Sequence, residues 1–282
     1  MAVVAHAKAD EDKLAQSLHR LLAEDPCIRL ERNAETKQTV LWTLGDSHLE
    51  VVLDRLKNRF GVNVDSVPFK VQLRETFTQA ASGHGQLVKQ SGGHGQYGVC
   101  DITVEPLPNG GGFEFVDEVV GGAVPRQYIP SVEHGVKMQM ERGLAAGYHV
   151  VDIRVRLQDG KSHSVDSSDM SFQQAGQLAL QDAAKKAGVA LLEPISTITV
   201  EVDDVYVGAI LSDISSRRGR VTGTQPAAAQ GRSQVIGDVP DLELVTYSTT
   251  LRSLSHGTGR FSREVKGYEP MPTNIAKPFL EQ

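Results

Sequence analysis

Residues 91–100, "SGGHGQYGVC", place Gly93, Gly95 and Gly98 at the G-x-G-x-x-G spacing of a dinucleotide-binding loop. Such a loop works only where it follows a strand and opens a helix, because free backbone N–H groups at the helix N-terminus hold the pyrophosphate. Beyond Gly98 no helix opens. Val99, Asp101, Thr103 and Glu105 alternate with Cys100, Ile102 and Val104, a period of two that describes a strand. The glycines therefore read as a β-hairpin tip, and no nucleotide is expected there.

The extended character holds over residues 70–120. Runs broken by Gly83, Gly85, Gly92, Gly93, Gly95 and the turn "PLPNGGG" predict several antiparallel strands with no helix between them. A helix over 128–142, a strand over 150–157 and a long helix over 168–187 follow, with Gly188 just past the end. On the long helix Phe172, Ala175, Gly176, Ala179 and Ala183 share a face whose small side chains admit a sheet closely, so a βαβ element is implied. Downstream, strand 198–202, helix 204–218, strands 221–225 and 233–239, helix 242–254 and strand 260–266 follow the order of a ferredoxin-like split βαβ fold. Upstream, helix 10–24 carries Leu14, Leu18, Leu21 and Leu22 on one face. Strands 27–30 and 39–44, helix 46–59 and the apolar run 62–67 complete a compact unit. The expected class is α+β in three modules, residues 1–69, 70–195 and 196–282.

Bulk properties agree with several globular modules. A chain of 282 residues exceeds one domain, and 40% hydrophobic with 23% charged residues supplies ordinary cores. No apolar run is long enough to span a membrane, and "MAVVAHAKAD" lacks a basic region followed by an apolar one. A cytoplasmic protein without membrane association is expected. The net charge of −6 argues against indiscriminate coating of nucleic acid but leaves a local basic patch open. Cys27 and Cys100 are too few and too far apart for a disulfide framework and are expected to be buried free thiols.

No catalytic constellation stands out, so no catalytic residue is expected. His84, His94 and Cys100 match no common zinc spacing, and no metal is expected. Gly160, Lys161 and Ser162 look like the end of a Walker A loop, but Val155 stands at its first glycine position, and a turn between Leu157 and Val165 is the simpler reading. His48 and His134 fall within predicted helices as packing residues. Two polar loops remain, "QSGGHGQYG" and "QDGKSHSVDSSD". Both suit a phosphate backbone or base edges, and both suit any solvated loop. Arg217, Arg218 and Arg220 end a helix and enter a strand, where they either complement the helix dipole or meet RNA.

The strings "RETFTQAASGHGQLVKQSGGHGQYGVCDITVEPLPNGGGFEF", "VGGAVPRQYIPSVEHGV", "VVDIRVRLQDGKSHSVDSSDMSF" and "LLEPI" resemble the fourth domain of translation elongation factor G. "KADEDKLAQSLHRLLAEDP" with "LGDSHLEVVLDRLKNRFGV" resembles its third domain, and "DDVYVGAILSDISSRRGRVTG" with "TTLRSLSHGTGRF" its fifth. The resemblance runs from about Lys8 to Lys266. It implies two ferredoxin-like domains flanking a ribosomal protein S5-like βαβ domain with an antiparallel β-rich part.

It also implies a monomeric ribosome-binding arm. Partners would be tRNA and mRNA in the small-subunit decoding region, large-subunit RNA, and the N-terminal GTPase domains of the same protein. Those domains would hold GTP and Mg, leaving no cofactor in this chain. The resemblance places the RNA-contacting tip in Gly92, Gly93, His94, Gly95, Gln96 and Tyr97 together with Lys161, Ser162 and His163. His163 matches the histidine that becomes diphthamide in the eukaryotic relative. Ribosomal RNA contacts are expected at Arg217, Arg218, Arg220, His256 and Arg260. His94 stands where the family usually has Arg, "SHGTGRF" replaces "TQGRGSF", and "GDSHLE" replaces "GELHLE", changes that suggest a divergent paralogue. The implied function is tRNA and mRNA translocation. Ribosomal protection of the tetracycline-resistance type and ribosome recycling are the alternatives, and the tip match at Gly92, Gly93, Gly95, Gln96, Tyr97 and Gly98 favours translocation.

Overall fold

A computed structural model describes residues 1–33, 35–89 and 95–280. In chain order the elements begin with β1 (Ala2–Ala5), α1 (Glu11–Glu24), β2 (Arg29–Arg32), β3 (Thr39–Trp42), α2 (Asp46–Asn58) and β4 (Val64–Val67). Next come β5 (Arg74–Phe77), β6 (Ala81–Lys89), β7 (Gln96–Pro106), β8 (Phe113–Asp117), α3 (Ile129–Arg142), β9 (Ile153–Lys161) and α4 (Asp169–Ala187). The remainder is β10 (Val189–Asp203), α5 (Val207–Ser216), β11 (Arg220–Pro226), β12 (Arg232–Pro240), α6 (Asp241–Leu244), α7 (Tyr247–Leu254), β13 (Arg260–Pro270) and α8 (Thr273–Leu280). Mixed helices and several sheets make the chain α+β. They form two compact units: Leu73–Glu193 with Gly267–Gln282, and Met1–Gln72 with Pro194–Lys266.

In the first of these units the period-two run after Gly98 is a strand, and the hairpin is real. β6 and β7 pair antiparallel from Ala81 opposite Val104 to Lys89 opposite Gln96. The sheet order is β6-β7-β9-β8, and β8 runs parallel to β9 with α3 as the crossover, a βαβ element built on α3 and not on the long helix from which the sequence implied one. Helices α3 and α4 bury Phe172, Leu180, Val132 and Val136 with Ile102, Val104, Val155 and Leu157. Ser168 caps α4 by accepting the Ser171 N–H at 3.3 Å, and Gly188 ends it at φ +78°.

Glycine brings these layers into contact. A Cβ on Gly85 would overlap the Ala175 carbonyl oxygen, and one on Gly98 would lie 2.8 Å from the Ser171 oxygen. Gly98 therefore belongs to strand β7 beneath α4. Between the helices the device is reciprocal: Gly176 of α4 faces the Val132 oxygen, and Gly135 of α3 faces the Gln173 oxygen.

The expected turn between Leu157 and Val165 is corrected to strand as far as Lys161. Gly160 makes this possible, since a Cβ there would strike the Val99 carbonyl and the Val124 side chain. Between Asp101 and Ile102 the register shifts, a bulge that places Lys161 opposite Val99. At the other end of the sheet Asp152, at φ +57°, accepts the Gly110 N–H at 3.1 Å and the Gly112 N–H at 2.8 Å, which closes the "PLPNGGG" turn.

The second unit contains two sheets. One has the order β2-β3-β1-β4, all antiparallel, with Leu14, Leu18, Leu21, Val52 and Leu56 of α1 and α2 packed in its core. Strand β1 is not among the elements expected from sequence, yet it is an inner strand, and the Met1 ammonium donates to the Leu41 carbonyl at 2.9 Å. The other sheet has the order β11-β12-β10-β13, with α5 and α7 burying Ile210, Ile214, Tyr247 and Leu251 on Ile198, Val200 and Val235. The helix expected over 242–254 is two helices, α6 and α7.

The segment that begins at Gly267 packs with Leu73–Glu193. Three contacts hold it there: Asn109 donates to the Tyr268 carbonyl, the Arg74 guanidinium lies 5.2 Å from the Tyr268 ring centre, and the Met271 N–H donates to the Leu191 carbonyl at 2.9 Å. Among the described residues no helix is long and apolar enough to cross a membrane.

Candidate nucleic-acid interface

The two polar loops meet at one end of the β6-β7-β9-β8 sheet. Gln96 opens β7, Lys161 closes β9, and the segment 162–168 leads into α4. Gly95 donates its N–H to Asp166 Oδ1 at 3.1 Å, and Tyr97 donates its N–H to the Asp166 carbonyl at 2.9 Å. In return the Ser167 hydroxyl donates to the Tyr97 carbonyl at 2.9 Å. Tyr128 ties the second loop to the start of α3: its hydroxyl donates to the Ser167 carbonyl at 3.1 Å while its ring stacks on Phe172 at 4.8 Å. Gly92, Gly93 and His94 lie outside the described residues.

His163 sits beside Tyr97, with ring centres 6.0 Å apart, and is exposed together with Lys161 and Ser162. The Val165 and Asp166 N–H groups both point at His163 Nδ1, at 3.3 and 3.2 Å. Asp166 Oδ2 is also 3.2 Å from Nδ1, a contact that would be an ion pair only with a charged ring. Backbone donors cannot be reversed, so Nδ1 is assigned as acceptor and Nε2 carries the hydrogen. The tip thus offers an imidazole N–H donor at its surface, a group suited to a phosphate or base acceptor.

The arginines of the other unit divide by exposure. The Arg217 side chain is 15% exposed and fully engaged. Its Nε donates to Asp213 at 2.8 Å, its two Nη atoms donate to the Glu243 carbonyl and the Thr250 hydroxyl, and its guanidinium stacks over Tyr247. For this residue the helix-terminal structural role accounts for every donor seen. Arg218, at φ +60°, pairs with Glu243 at 2.9 Å. Arg220 and Arg260 are 73% and 76% exposed although ion-paired, to Asp238 and Glu201 respectively. Hydrogen bonding to Arg260 holds the Glu201 carboxyl below its ordinary range. Burial raises the Asp238 carboxyl, but Lys266, Thr197 and Arg220 outweigh it and the net shift is downward. His256 turns at φ +48° with its ring 5.5 Å from that of Tyr206.

Other candidate chemistry is absorbed by the fold. His84 pairs with Asp101 at 2.6 Å, and that hydrogen bond raises its pKa. His48 receives the Leu44 N–H on Nδ1 and donates from Nε2 to Asp25 at 3.0 Å, locking the "GDSHLE" turn to the end of α1. Among the described residues no group of three or more His, Cys, Asp or Glu could hold a metal ion.

Cys100 is buried, and burial followed by the Asp101 charge pushes its thiol up to about 12. Cys27 is exposed, contrary to the expectation of two buried thiols. A thiol reagent applied to the native chain should therefore label Cys27 and spare Cys100 until denaturant is added. Prompt labelling of both thiols would contradict the burial of Cys100.

Sequence reasoning missed Asp166, Ser167 and Tyr128 as the residues that hold the tip together. The string "VDSSD" before a long helix signals only an N-cap.

Three family models match in order: "Elongation Factor G, domain III" over residues 1–68, "Elongation factor G, domain IV" over 69–188 and "Elongation factor G C-terminus" over 190–278. An elongation factor G-like protein of Mycobacterium tuberculosis (strain CDC 1551 / Oshkosh) is 60% identical over 98% of the chain and 38% of its own length. Elongation factor G of Aquifex pyrophilus is 45% identical over 99% of the chain and 40% of its own length. The chain thus spans about two-fifths of these relatives. A crystal structure from Thermus thermophilus superposes with TM-score 0.88 at 37% identity, covering 99% of this chain and 42% of that one.

Proposed function

The chain belongs to the elongation factor G family of translation factors, and from that premise we propose that it is the ribosome-contacting arm of a translational GTPase. Its tip meets tRNA and mRNA in the decoding region and promotes their translocation. The observation that carries this reading is the convergence of the loops bearing Gln96 and His163, separate in sequence, at one end of the sheet, with His163 exposed. Lys161 and Ser162 belong to the same surface in this reading, and Gly92, Gly93 and His94 are RNA contacts by the family resemblance. Arg220, His256 and Arg260 face ribosomal RNA, whereas Arg217 and Arg218 support the fold beneath them. GTP and Mg are bound by a part of the factor N-terminal to this arm. Greater identity to a protein called elongation factor G-like than to one called elongation factor G favours a paralogue, a role that includes protection or recycling as competing outcomes.

In the whole factor, Gln96→Ala with His163→Ala removes two polar contacts, each worth about 1 kcal/mol, and should slow translocation roughly 30-fold. Ribosome-stimulated GTP hydrolysis should stay near normal, because hydrolysis takes place in another domain. Translocation at the normal rate would overturn the tip assignment. Hydrolysis falling in step with translocation would overturn the separation of arm from motor.

A further inference from the structure

The geometry points to Asp166 as the positioning residue of the tip: beside the Ser167 hydroxyl, its side chain and peptide fasten one loop to the other, and it alone of the two also reaches the His163 ring. Its carboxylate accepts the Gly95 N–H, its carbonyl accepts the Tyr97 N–H, and its own N–H donates to His163 Nδ1. No other residue with described hydrogen bonds at this end touches both strand β7's entry and the His163 ring through three separate groups. A Cβ on Gly95 would lie 2.9 Å from the Asp166 Cγ, so the peptide and the carboxylate are already in close contact. Asp166 is half-buried where His163 is exposed, and the supporting group therefore lies beneath the presenting one.

Each bond fixes a different degree of freedom. The carboxylate holds the Gly95 peptide against the segment that follows β9. The carbonyl sets the height of Tyr97 and hence of the ring beside His163. The N–H, with that of Val165, fixes the tautomer so that the hydrogen sits on Nε2 and points outward. A recognition group held this way loses less entropy on binding than one on a mobile loop.

The importance of this positioning for translocation rests on the proposed reading of the tip, but the positioning itself can be measured on the 282-residue chain. Amide hydrogen exchange and long-range nitrogen–proton NMR of the histidine rings provide the two signals. Asp166→Ala removes only the carboxylate, so it should speed Gly95 exchange about ten-fold while the backbone N–H groups of residues 165 and 166 keep the Nε2–H signature of His163, with α4 amides unchanged. Asp166→Asn retains an acceptor oxygen and should restore slow Gly95 exchange. Unchanged Gly95 exchange in Asp166→Ala would overturn the proposal, and so would loss of protection throughout α4, which would make the residue merely structural. In the whole factor, Asp166→Ala should slow translocation as Gln96→Ala with His163→Ala does. Faster Gly95 exchange with normal translocation would leave the positioning intact and defeat the functional reading instead.

Discussion

Glu75→Ala is expected to destabilise the Leu73–Glu193 unit by on the order of 4 kcal/mol and to lower its melting temperature by more than roughly 10 °C. Glu75 is 0% exposed, and its carboxylate accepts four backbone N–H groups. Oε2 takes Leu144 at 2.6 Å and Ala145 at 3.0 Å, and Oε1 takes Ala146 at 2.7 Å and Tyr148 at 3.0 Å. The loop that returns α3 to β9 is folded around this one group, while the Glu75 backbone pairs with His149 and Val151. Without the carboxylate four donors lose their acceptor together, and the loop must open to water. Glu75→Gln should do little better. An amide has one oxygen, so two of the four N–H groups would face an NH2. A calorimetric melting temperature within a degree or two of wild type for either variant would refute the cradle.

Gly85→Ala comes next, with an expected cost of about 3 kcal/mol, because the added carbon overlaps the Ala175 carbonyl and lies 2.7 Å from the Ala179 nitrogen, both backbone atoms that no rotamer change can move. Helix α4 must lift from β6, and the Phe172 and Leu180 side chains lose contact with the sheet. Gly208→Ala is the control. Nothing lies within 4 Å of its would-be Cβ in α5, so the same substitution should stabilise by about 0.5 kcal/mol through helix propensity. Equal effects at the two sites would mean that close packing does not explain the glycines of β6.

These two residues mark what the sequence could and could not convey. The hairpin after Gly98 was legible because strand periodicity is local. The long α4 was legible from its apolar face and the terminal Gly188 for the same reason, whereas the βαβ crossover runs through α3. The reason for Gly85 was hidden because the Ala175 carbonyl that requires it is 90 residues away in sequence. Strand β1 was hidden because "AVVA" is too short to alternate, although it lies inside its sheet. Arg217 shows the converse difficulty. An arginine cluster at a helix end reads equally as an RNA contact or a structural group, and only the fold shows Arg217 engaged by Asp213, Glu243, Thr250 and Tyr247. At the tip, the sequence supplied the two loops by resemblance, while the Asp166 bond to Gly95 spans 71 residues and leaves no local trace.

Site-directed crosslinking tests whether this tip faces tRNA and mRNA. Cys100 is inert and Cys27 can be removed by Cys27→Ala, so in a whole factor cleared of other accessible thiols Gln96→Cys supplies the attachment point for a short photoreactive probe. On ribosomes poised for translocation, the crosslinks should fall on tRNA, mRNA and small-subunit decoding RNA. Crosslinks confined to large-subunit RNA or to protein away from the decoding region, with the factor demonstrably bound, would contradict it.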